Sequence, residues 1–207
     1  MRVAVFGGTG FIGGYIVDAL VREGHVPVLL VRSGSERKVH TGGTFETISG
    51  DIGDPDAVAR TLEGADAAIY AVGILRERTQ AGITFEELHV RGVERTAAGA
   101  ARAGVGRFLL VSANGADRGR TAYQRTKFQG EEALRSSDLD WTVFRPSIVY
   151  GDPRGARDFM TLIRDQIILS PFPAPLFFKG FSPFNAGTFR FSPVHVSDLA
   201  GAVARSI

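Results

Sequence analysis

Short runs of apolar residues alternate along this chain with longer segments whose apolar positions recur at helical spacing. The short runs predict buried strands at 3–6, 26–31, 45–50, 65–72, 107–112 and 141–145. The helical spacing predicts helices at 11–20, from Asp54 onward, at 84–103 and at 121–135. Strands that alternate with helices in this way are joined by right-handed crossovers, so we predict an α/β fold built on a parallel sheet.

The regular alternation loosens after Pro146. The later segments are predicted to be, in order, a turn at 151–155, a helix at 156–168, a stretch rich in Pro, Phe and Gly at 170–187, a returning strand at 189–194 and a last helix. We therefore divide the chain into a sheet domain at 1–150 and a remainder at 151–207. That remainder begins a small lobe and then returns a strand and a helix to the first domain.

Three glycines, Gly7, Gly10 and Gly13, stand between the first predicted strand and the first predicted helix. Glycines at this place let the chain turn tightly and bring backbone N–H groups close to a pyrophosphate, and the helix N-terminus adds positive partial charge. A glycine-rich turn without a ligand is the alternative, but the order of strand, glycines and helix is that of a dinucleotide site. The residues predicted to contact the cofactor here are Gly7, Thr9, Gly10, Phe11, Ile12 and Gly13.

The second predicted strand ends at Arg32, and Ser35, Arg37 and Lys38 follow closely. In a dinucleotide fold this strand end lies beside the adenine ribose, where an acidic residue would select NAD. An arginine suits a 2′-phosphate by its charge and its bidentate geometry. We therefore expect NADP(H) rather than NAD(H), a solvated basic loop being the alternative.

Two further strand ends are predicted at the same edge of the sheet, where ligands of such folds bind. Asp51 can accept a hydrogen bond from the adenine amino group, with Ile52 against the ring, or it can simply end a turn. Gly73 lets the backbone after the fourth strand pass close to the cofactor. The cofactor residues predicted at these two ends are Asp51, Ile52, Ala71, Val72 and Gly73.

Tyr123 and Lys127 are four residues apart on a predicted helix, so their side chains share one face. A tyrosine hydroxyl ordinarily titrates near pH ~10 and is a poor base at neutral pH. A nearby ammonium, together with the positive charge of an oxidised nicotinamide, favours the phenolate and lowers the pKa. We predict Tyr123 as the general acid/base, with Lys127 as the group that tunes it and holds the nicotinamide ribose.

These motifs resemble those of the short-chain dehydrogenase/reductase superfamily. The matching stretches are 7–13, Asp51, Val111 with Ser112, Tyr123 with Lys127, and 144–147. Within the superfamily, 110–115, 144–151 and 193–198 are most similar to an atypical branch. That branch is epimerase/dehydratase-like and includes the nucleotide-binding accessory subunit of respiratory complex I and its bacterial relatives.

The resemblance implies a Rossmann-type, doubly wound sheet in the order 3-2-1-4-5-6-7. It makes residues 1–150 an NAD(P)-binding domain and 151–207 the beginning of a C-terminal substrate lobe that is either small or truncated. It also implies that Arg145, Pro146 and Ser147 pass the nicotinamide carboxamide.

One position departs from the superfamily pattern. Active members place Ser or Thr just after the fifth strand to hydrogen-bond the substrate oxygen. Here Ser112 is the candidate catalytic residue for this role. If Ala113 is instead the equivalent residue, the polar side chain nearby that can bind the substrate oxygen is that of Asn114. The resemblance thus implies the cofactor more directly than it implies turnover.

Two hypotheses for function follow. The first is an NAD(P)-dependent oxidoreductase or epimerase-like enzyme that acts on a small, apolar or sugar-like substrate by hydride transfer. The second is a non-catalytic NADP(H)-binding scaffold or redox sensor that binds a protein, a quinone or a membrane surface. The intact pair of Tyr123 and Lys127 favours the first, and Ala113 favours the second. The seven phenylalanines between 172 and 191 can line a pocket, pack the lobe or cover a partner.

The composition of the chain limits the ligands, partners and locations that we expect for it. The net charge of +2 gives no reason to expect nucleic acid, and the absence of cysteine excludes disulfides and thiolate metal sites. The four histidines have no ligand spacing, so we expect no metal. The apolar stretch 159–178 is interrupted by charges and prolines, so we expect no transmembrane segment. The first predicted strand starts at residue 2, so we expect no signal peptide. A cytoplasmic location is the corresponding prediction.

Overall fold

The computed structural model describes residues 1–35, 42–155 and 192–207. Its strands are β1 (Arg2–Phe6), β2 (Val26–Val31), β3 (Glu46–Ser49), β4 (Ala67–Tyr70), β5 (Arg107–Val111), β6 (Asp140–Phe144), β7 (Val149–Tyr150) and β8 (Val194–His195). Its α-helices are α1 (Phe11–Arg22), α2 (Pro55–Leu62), α3 (Gly92–Arg102), α4 (Ala122–Arg135) and α5 (Val196–Ala204). Short 3-10 turns lie at Thr79–Ala81 and Ala116–Arg118, and a π-helical segment lies at Glu86–Arg91.

Six strands form one parallel sheet in the order β3-β2-β1-β4-β5-β6. β1 lies at the centre, where Val5 is paired with Leu29 of β2 on one side and with Ile69 of β4 on the other. The order reverses between β1 and β4, which places a crevice at the carboxyl ends of these two strands. The predicted α/β fold with a doubly wound parallel sheet is confirmed.

The C-terminal part of the described chain differs from the seventh strand that the resemblance implied. β8 pairs with β7 in a separate two-stranded parallel sheet, with Val149 opposite Val194 and Tyr150 opposite His195. α5 then packs against α1. The helix predicted at 156–168, the stretch at 170–187 and the first half of the strand predicted at 189–194 lie outside the described residues.

The core has two layers because the central strands are buried on both faces. Val3 and Val5 of β1 face one layer, which they share with Leu20 of α1 and Val203 of α5. The neighbouring positions of β1 face the opposite layer, which contains Phe6, Leu62, Val93 and Leu134. Successive side chains of a strand point to opposite faces of the sheet, so each short apolar run contributes residues to both core layers.

Local signals set the starts of two helices close to where the sequence predicts them. Asp54 caps α2 by accepting from the backbone N–H groups of Asp56 and Ala57, and Pro55 occupies the first turn. Thr121 caps α4 in a capping box with Gln124.

The helix predicted at 84–103 differs from the pattern, because its first part is π-helical before α3 begins. None of the helices described in 1–35, 42–155 and 192–207 is long and apolar enough to span a bilayer.

Candidate cofactor cleft and active site

A cleft of about 1240 Å³, as lined by the described residues, opens at the carboxyl ends of the central strands. This exceeds the roughly 300–1,000 Å³ of ordinary small-molecule sites, and it suits a dinucleotide together with a second molecule. Among the described residues, every one that the sequence assigned to the cofactor or to catalysis lines the cleft, with the exception of Arg145. The fold thus brings together residues from the ends of β1, β2, β3, β4, β5 and β6.

The glycine turn is packed so closely that side chains are excluded. Gly7 has a φ of +92°, and a Cβ there would lie 2.8 Å from the carbonyl carbon of Ala71. A Cβ on Gly13 would lie 2.0 Å from the carbonyl oxygen of Gly7. That same oxygen accepts the backbone N–H of Gly10 at 3.0 Å, which closes the turn at the start of α1. Bare backbone and a helix N-terminus therefore line this part of the cleft, as pyrophosphate binding requires.

The adenosine end of the cleft is lined by Arg32 and Ser35 after β2 and by Asp51 and Ile52 after β3. The Asp51 carboxylate accepts the backbone N–H of Gly53 at 2.9 Å, so it also holds its own turn. Arg37 and Lys38, predicted to add basic charge here, lie outside the described residues.

Sequence reasoning missed one residue that supports this end of the cleft without lining it. Arg95 reaches across from α3 and donates to the backbone carbonyl of Ile52 at 2.8 Å. No motif marks it, because the contact spans 43 positions of sequence.

Lys127 is anchored on the backbone between two strands. Its Nζ donates to the carbonyl oxygens of Val72 at 3.2 Å and Val111 at 3.1 Å. Burial lowers the pKa of this ammonium to about 8, although the nearby Glu131 carboxylate opposes the shift. Gly73 leaves room for it, because a Cβ there would lie 3.3 Å from Nζ. The lysine thus has two of its three donors on backbone carbonyls while it lines the cleft.

Tyr123 lies one turn before Lys127 on α4 and lines the same cleft. Its ring packs edge-on against Phe85 and His89, with centroid distances of 5.8 Å and 5.3 Å. Burial raises the pKa of the Tyr123 phenol, whereas the sequence argument predicted a lowered value from nearby positive charge. The protein alone therefore keeps the hydroxyl protonated, because burial of the phenol disfavours its charged form.

The structure directs Ser112 away from the role that the sequence assigned to it. The Ser112 hydroxyl donates to Oε1 of Glu131 at 2.5 Å, which leaves it no proton for a substrate oxygen in this arrangement. Asn114 lines the cleft two residues further on, and its backbone N–H donates to the carbonyl of Pro146 at 2.9 Å.

Arg145 was predicted beside the nicotinamide, but its guanidinium binds Glu131 instead. Nε donates to Oε1 at 2.9 Å and Nη2 to Oε2 at 2.6 Å, while Nη1 pairs with Asp117 at 3.0 Å. Two charged partners hold it outside the cleft, and its neighbours Pro146 and Ser147 line the wall. The bidentate geometry explains this preference, because a guanidinium and a carboxylate match donor for acceptor.

Glu131 is the residue of this region that sequence reasoning missed most clearly. Its side chain is fully buried and also pairs with Arg135 at 2.9 Å. Burial alone would raise the pKa of its carboxyl, but hydrogen bonds from Arg145 and Ser112 outweigh burial and lower it. A signal was present, because Tyr123, Lys127 and Glu131 recur every four residues and therefore share one face of α4.

A doubly wound parallel sheet whose glycine turn and strand ends line one cleft defines a Rossmann-type dinucleotide-binding protein. The chain belongs to the NAD(P)H-binding family, whose model matches residues 7–166. This membership supports a nicotinamide dinucleotide as the cofactor of the cleft.

Known proteins carry the resemblance further. The chain is 32% identical to a Caulobacter vibrioides protein named ceramide reductase, over 96% of this chain and 58% of that protein. It is 28% identical to the mitochondrial NADH-ubiquinone oxidoreductase 40 kDa subunit of Neurospora crassa, over 98% of this chain and 51% of that protein. The chain therefore spans little more than half the length of these relatives.

A solved structure shows the same fold. The Bordetella bronchiseptica enzyme WbmH, in complex with NAD+, matches 99% of this chain and 71% of its own with a TM-score of 0.75 and 22% identity. Together with the family match, these relatives confirm the resemblance to the atypical, epimerase/dehydratase-like branch of the short-chain dehydrogenase/reductase superfamily and to the complex I accessory subunit.

Proposed function

We propose that this protein is an NAD(P)-dependent oxidoreductase that transfers hydride between its cofactor and an apolar carbonyl or alcohol. The observation that carries this proposal is that Tyr123 and Lys127, one turn apart on α4, both line the cleft, with Lys127 held by the carbonyls of Val72 and Val111. A phenol and a buried ammonium that line one cleft from the same helix can act as a proton-transfer pair, and a binding site alone has no need of one.

The roles of the chain's own groups follow from their surroundings. When bound, the nicotinamide supplies or accepts the hydride. In the reducing direction Tyr123 gives its phenolic proton to the carbonyl oxygen, and burial favours that protonated starting state. Lys127 stabilises the phenolate that remains and turns its third donor toward the ribose. Asn114 is the better candidate to hold the substrate oxygen, because the Ser112 hydroxyl already donates its hydrogen bond to Glu131.

The cleft wall beyond the cofactor residues supports an apolar substrate rather than a sugar-like one. Ile74, Leu75, Ile83 and Ile148 line it, and the charged groups that line the same part are Arg78 and Arg154. The Caulobacter relative is named for the reduction of ceramide, which is consistent with an apolar substrate.

We propose NADP(H) rather than NAD(H) as the cofactor. Arg32 and Ser35 line the cleft at the end of β2, where a 2′-phosphate would lie. We also retain the cytoplasmic location and the division at residue 150 as predictions.

The test compares Tyr123→Phe with the wild-type chain in a screen of apolar aldehydes, ketones and alcohols, with NADPH oxidation or NADP+ reduction as the readout. Loss of the acid/base group should lower turnover about 10²–10⁴-fold. Cofactor affinity should stay within about tenfold, because the hydroxyl acts on the substrate. Tyr150→Phe is the matched control, since Tyr150 is 42% exposed and does not line the cleft. Equal turnover by Tyr123→Phe and the wild-type chain would remove Tyr123 from the mechanism.

The second candidate is a non-catalytic NADP(H)-binding scaffold or redox sensor with a protein, quinone or membrane-surface partner. The bond from Ser112 to Glu131 and the presence of Ala113 favour it, because both deprive the cleft of a hydroxyl donor. The Neurospora relative is named as a subunit of a larger oxidoreductase. Tight cofactor binding without turnover of any compound in the screen would favour this candidate.

A further inference from the structure

A π-helical turn between β4 and α3 places a buried histidine beneath the proposed acid/base residue. In the segment Glu86–Arg91 the backbone N–H of Gly92 donates to the carbonyl of Glu87, five residues back. The Tyr70 hydroxyl, buried in the core, donates to the carbonyl of Leu88 at 2.6 Å. A Cβ on Gly92 would lie 2.1 Å from that hydroxyl, so the tyrosine enters the space that a larger residue would fill. Such π-helical turns are frequent at functional sites.

His89 leaves this turn with 1% of its surface exposed and bonds to two other elements. Its Nε2 accepts the backbone N–H of Ile74, in the wall of the cleft after β4, at 3.3 Å. Its Nδ1 lies 3.1 Å from Oγ1 of Thr126 on α4. Because Nε2 must accept, the proton is on Nδ1, and Thr126 receives it while donating its own hydroxyl proton to Ala122 at 2.9 Å. Both ring nitrogens of a neutral histidine are thereby satisfied.

The same ring packs against Tyr123. The His89 ring stacks on Phe85 with centroids 5.3 Å apart and an angle of 20°, and it meets the Tyr123 ring edge-on at 5.3 Å and 86°. Burial, with a smaller contribution from the Lys127 charge, lowers the pKa of His89 to about 3. The imidazole therefore stays neutral, which the bond from Ile74 requires.

α4 is held against this turn without an intervening side chain. A Cβ on Gly130 would lie 2.1 Å from the carbonyl oxygen of His89, so the helix that carries Tyr123 and Lys127 lies directly on the backbone of the turn. The position of His89 relative to α4 is thus set by backbone contact, and its ring has little freedom to move.

We propose that His89 is a positioning residue that fixes the Tyr123 ring against the cleft wall formed by Ile74. It ties the segment after β4 to α4 through its two nitrogens and supports the tyrosine with its ring. The idea rests on the proposed function, since positioning matters most if Tyr123 transfers a proton. Displacement of a reacting group by about 1 Å is enough to lower a rate about 100-fold.

The experiment uses His89→Ala, His89→Phe and His89→Gln in the full chain. Alanine removes the ring and both bonds, phenylalanine keeps the ring packing, and glutamine keeps an acceptor for the Ile74 N–H. We expect His89→Ala to lower kcat about 10- to 100-fold with an unchanged KM and cofactor Kd, and His89→Phe to recover part of the loss. The glutamine variant replaces alanine if the latter does not fold.

A second readout does not depend on turnover. For the wild-type chain and for each His89 variant, tyrosinate absorbance is measured with and without the additional substitution Tyr123→Phe. The difference between the two curves reports the ionisation of Tyr123 alone. In His89→Ala water reaches the ring, so Tyr123 should ionise at lower pH than in the wild-type chain, while His89→Phe should leave it unchanged. If Tyr123 ionises at lower pH in His89→Ala but no chain turns over any substrate, His89 still positions Tyr123 and the proposed oxidoreductase activity is rejected. Unchanged kcat and unchanged ionisation in His89→Ala would overturn the positioning role.

Discussion

Ser112 lines the cleft, yet its hydroxyl donates to the buried carboxylate of Glu131 at 2.5 Å. Arg145 approaches the same carboxylate from the end of β6 with two further bonds. Glu131 thereby joins the ends of β5 and β6 to α4 at one point. The segment that carries Pro146 and Ser147 is held at the cleft wall by this ion pair, so a residue remote from the substrate shapes the site.

This relationship predicts that Ser112 contributes more to stability than to turnover. Ser112→Ala should lower the free energy of unfolding by about 1–3 kcal/mol, because a buried carboxylate loses a donor, and should lower kcat less than tenfold. Asn114→Ala, at an exposed position in the cleft wall, should do the reverse. Urea unfolding and steady-state kinetics on both variants provide the comparison. The opposite ranking in kcat would return Ser112 to the role of oxygen holder.

The glycine turn offers a prediction with an adjacent control. In Gly13→Ala the new Cβ would lie 2.0 Å from the carbonyl oxygen of Gly7, so the turn must open and cofactor binding should be lost. In Gly14→Ala the nearest atom is 3.7 Å from the new Cβ, and binding should persist. A gain of up to about 1 kcal/mol in stability is expected for Gly14→Ala, because alanine favours the helix. Calorimetric titration with NADPH measures the cofactor affinity of both variants. Retained affinity in Gly13→Ala would contradict a role of the tightly packed turn in cofactor binding.

Arg32 should decide between the two cofactors. Arg32→Ala removes a charge-assisted contact of about 1.5–3 kcal/mol, so the NADPH affinity should fall roughly 10- to 100-fold while the NADH affinity changes little. Arg102→Ala, at the end of α3 and away from the cleft, is the matched control. Side-by-side titrations give the ratio of the two affinities. If that ratio is the same in Arg32→Ala as in the wild-type chain, Arg32 does not bind a 2′-phosphate.

Neutral His89 predicts a loss of stability in acid. Its pKa is lowered from 6.5 to about 3 in the folded state, so between these values the unfolded chain binds a proton that the folded chain does not. The contribution of His89 to the free energy of unfolding is fully present above pH 6.5. It decreases by about 1.4 kcal/mol for each pH unit between 6.5 and about 3. Unfolding free energies of the wild-type chain should therefore fall more steeply with acid than those of His89→Gln. Parallel curves would mean that His89 becomes protonated in the folded state.

Local patterns in the sequence are enough to predict the architecture and the strand ends that line the cleft. Apolar runs separated by helical patterns are local signals, and the order of β1, glycine turn and α1 leaves one well-known way to pack them. Gly7, Gly13, Arg32 and Asp51 follow from this order because parallel strands end at a common edge. Tyr123 and Lys127 could be paired because helical spacing is also local.

Contacts between distant parts of the chain, which no local pattern encodes, set the hydrogen-bond partners of the polar side chains near the cleft. Arg145 and Ser112 follow strands that end at the cleft, yet both are directed to Glu131, since burying that carboxylate without donors would cost several kcal/mol. His89 has no motif, because its partners come from the segment after β4 and from α4. The π-helical turn that carries it depends on Tyr70 entering the space at Gly92, a contact between residues 22 positions apart that no local pattern encodes.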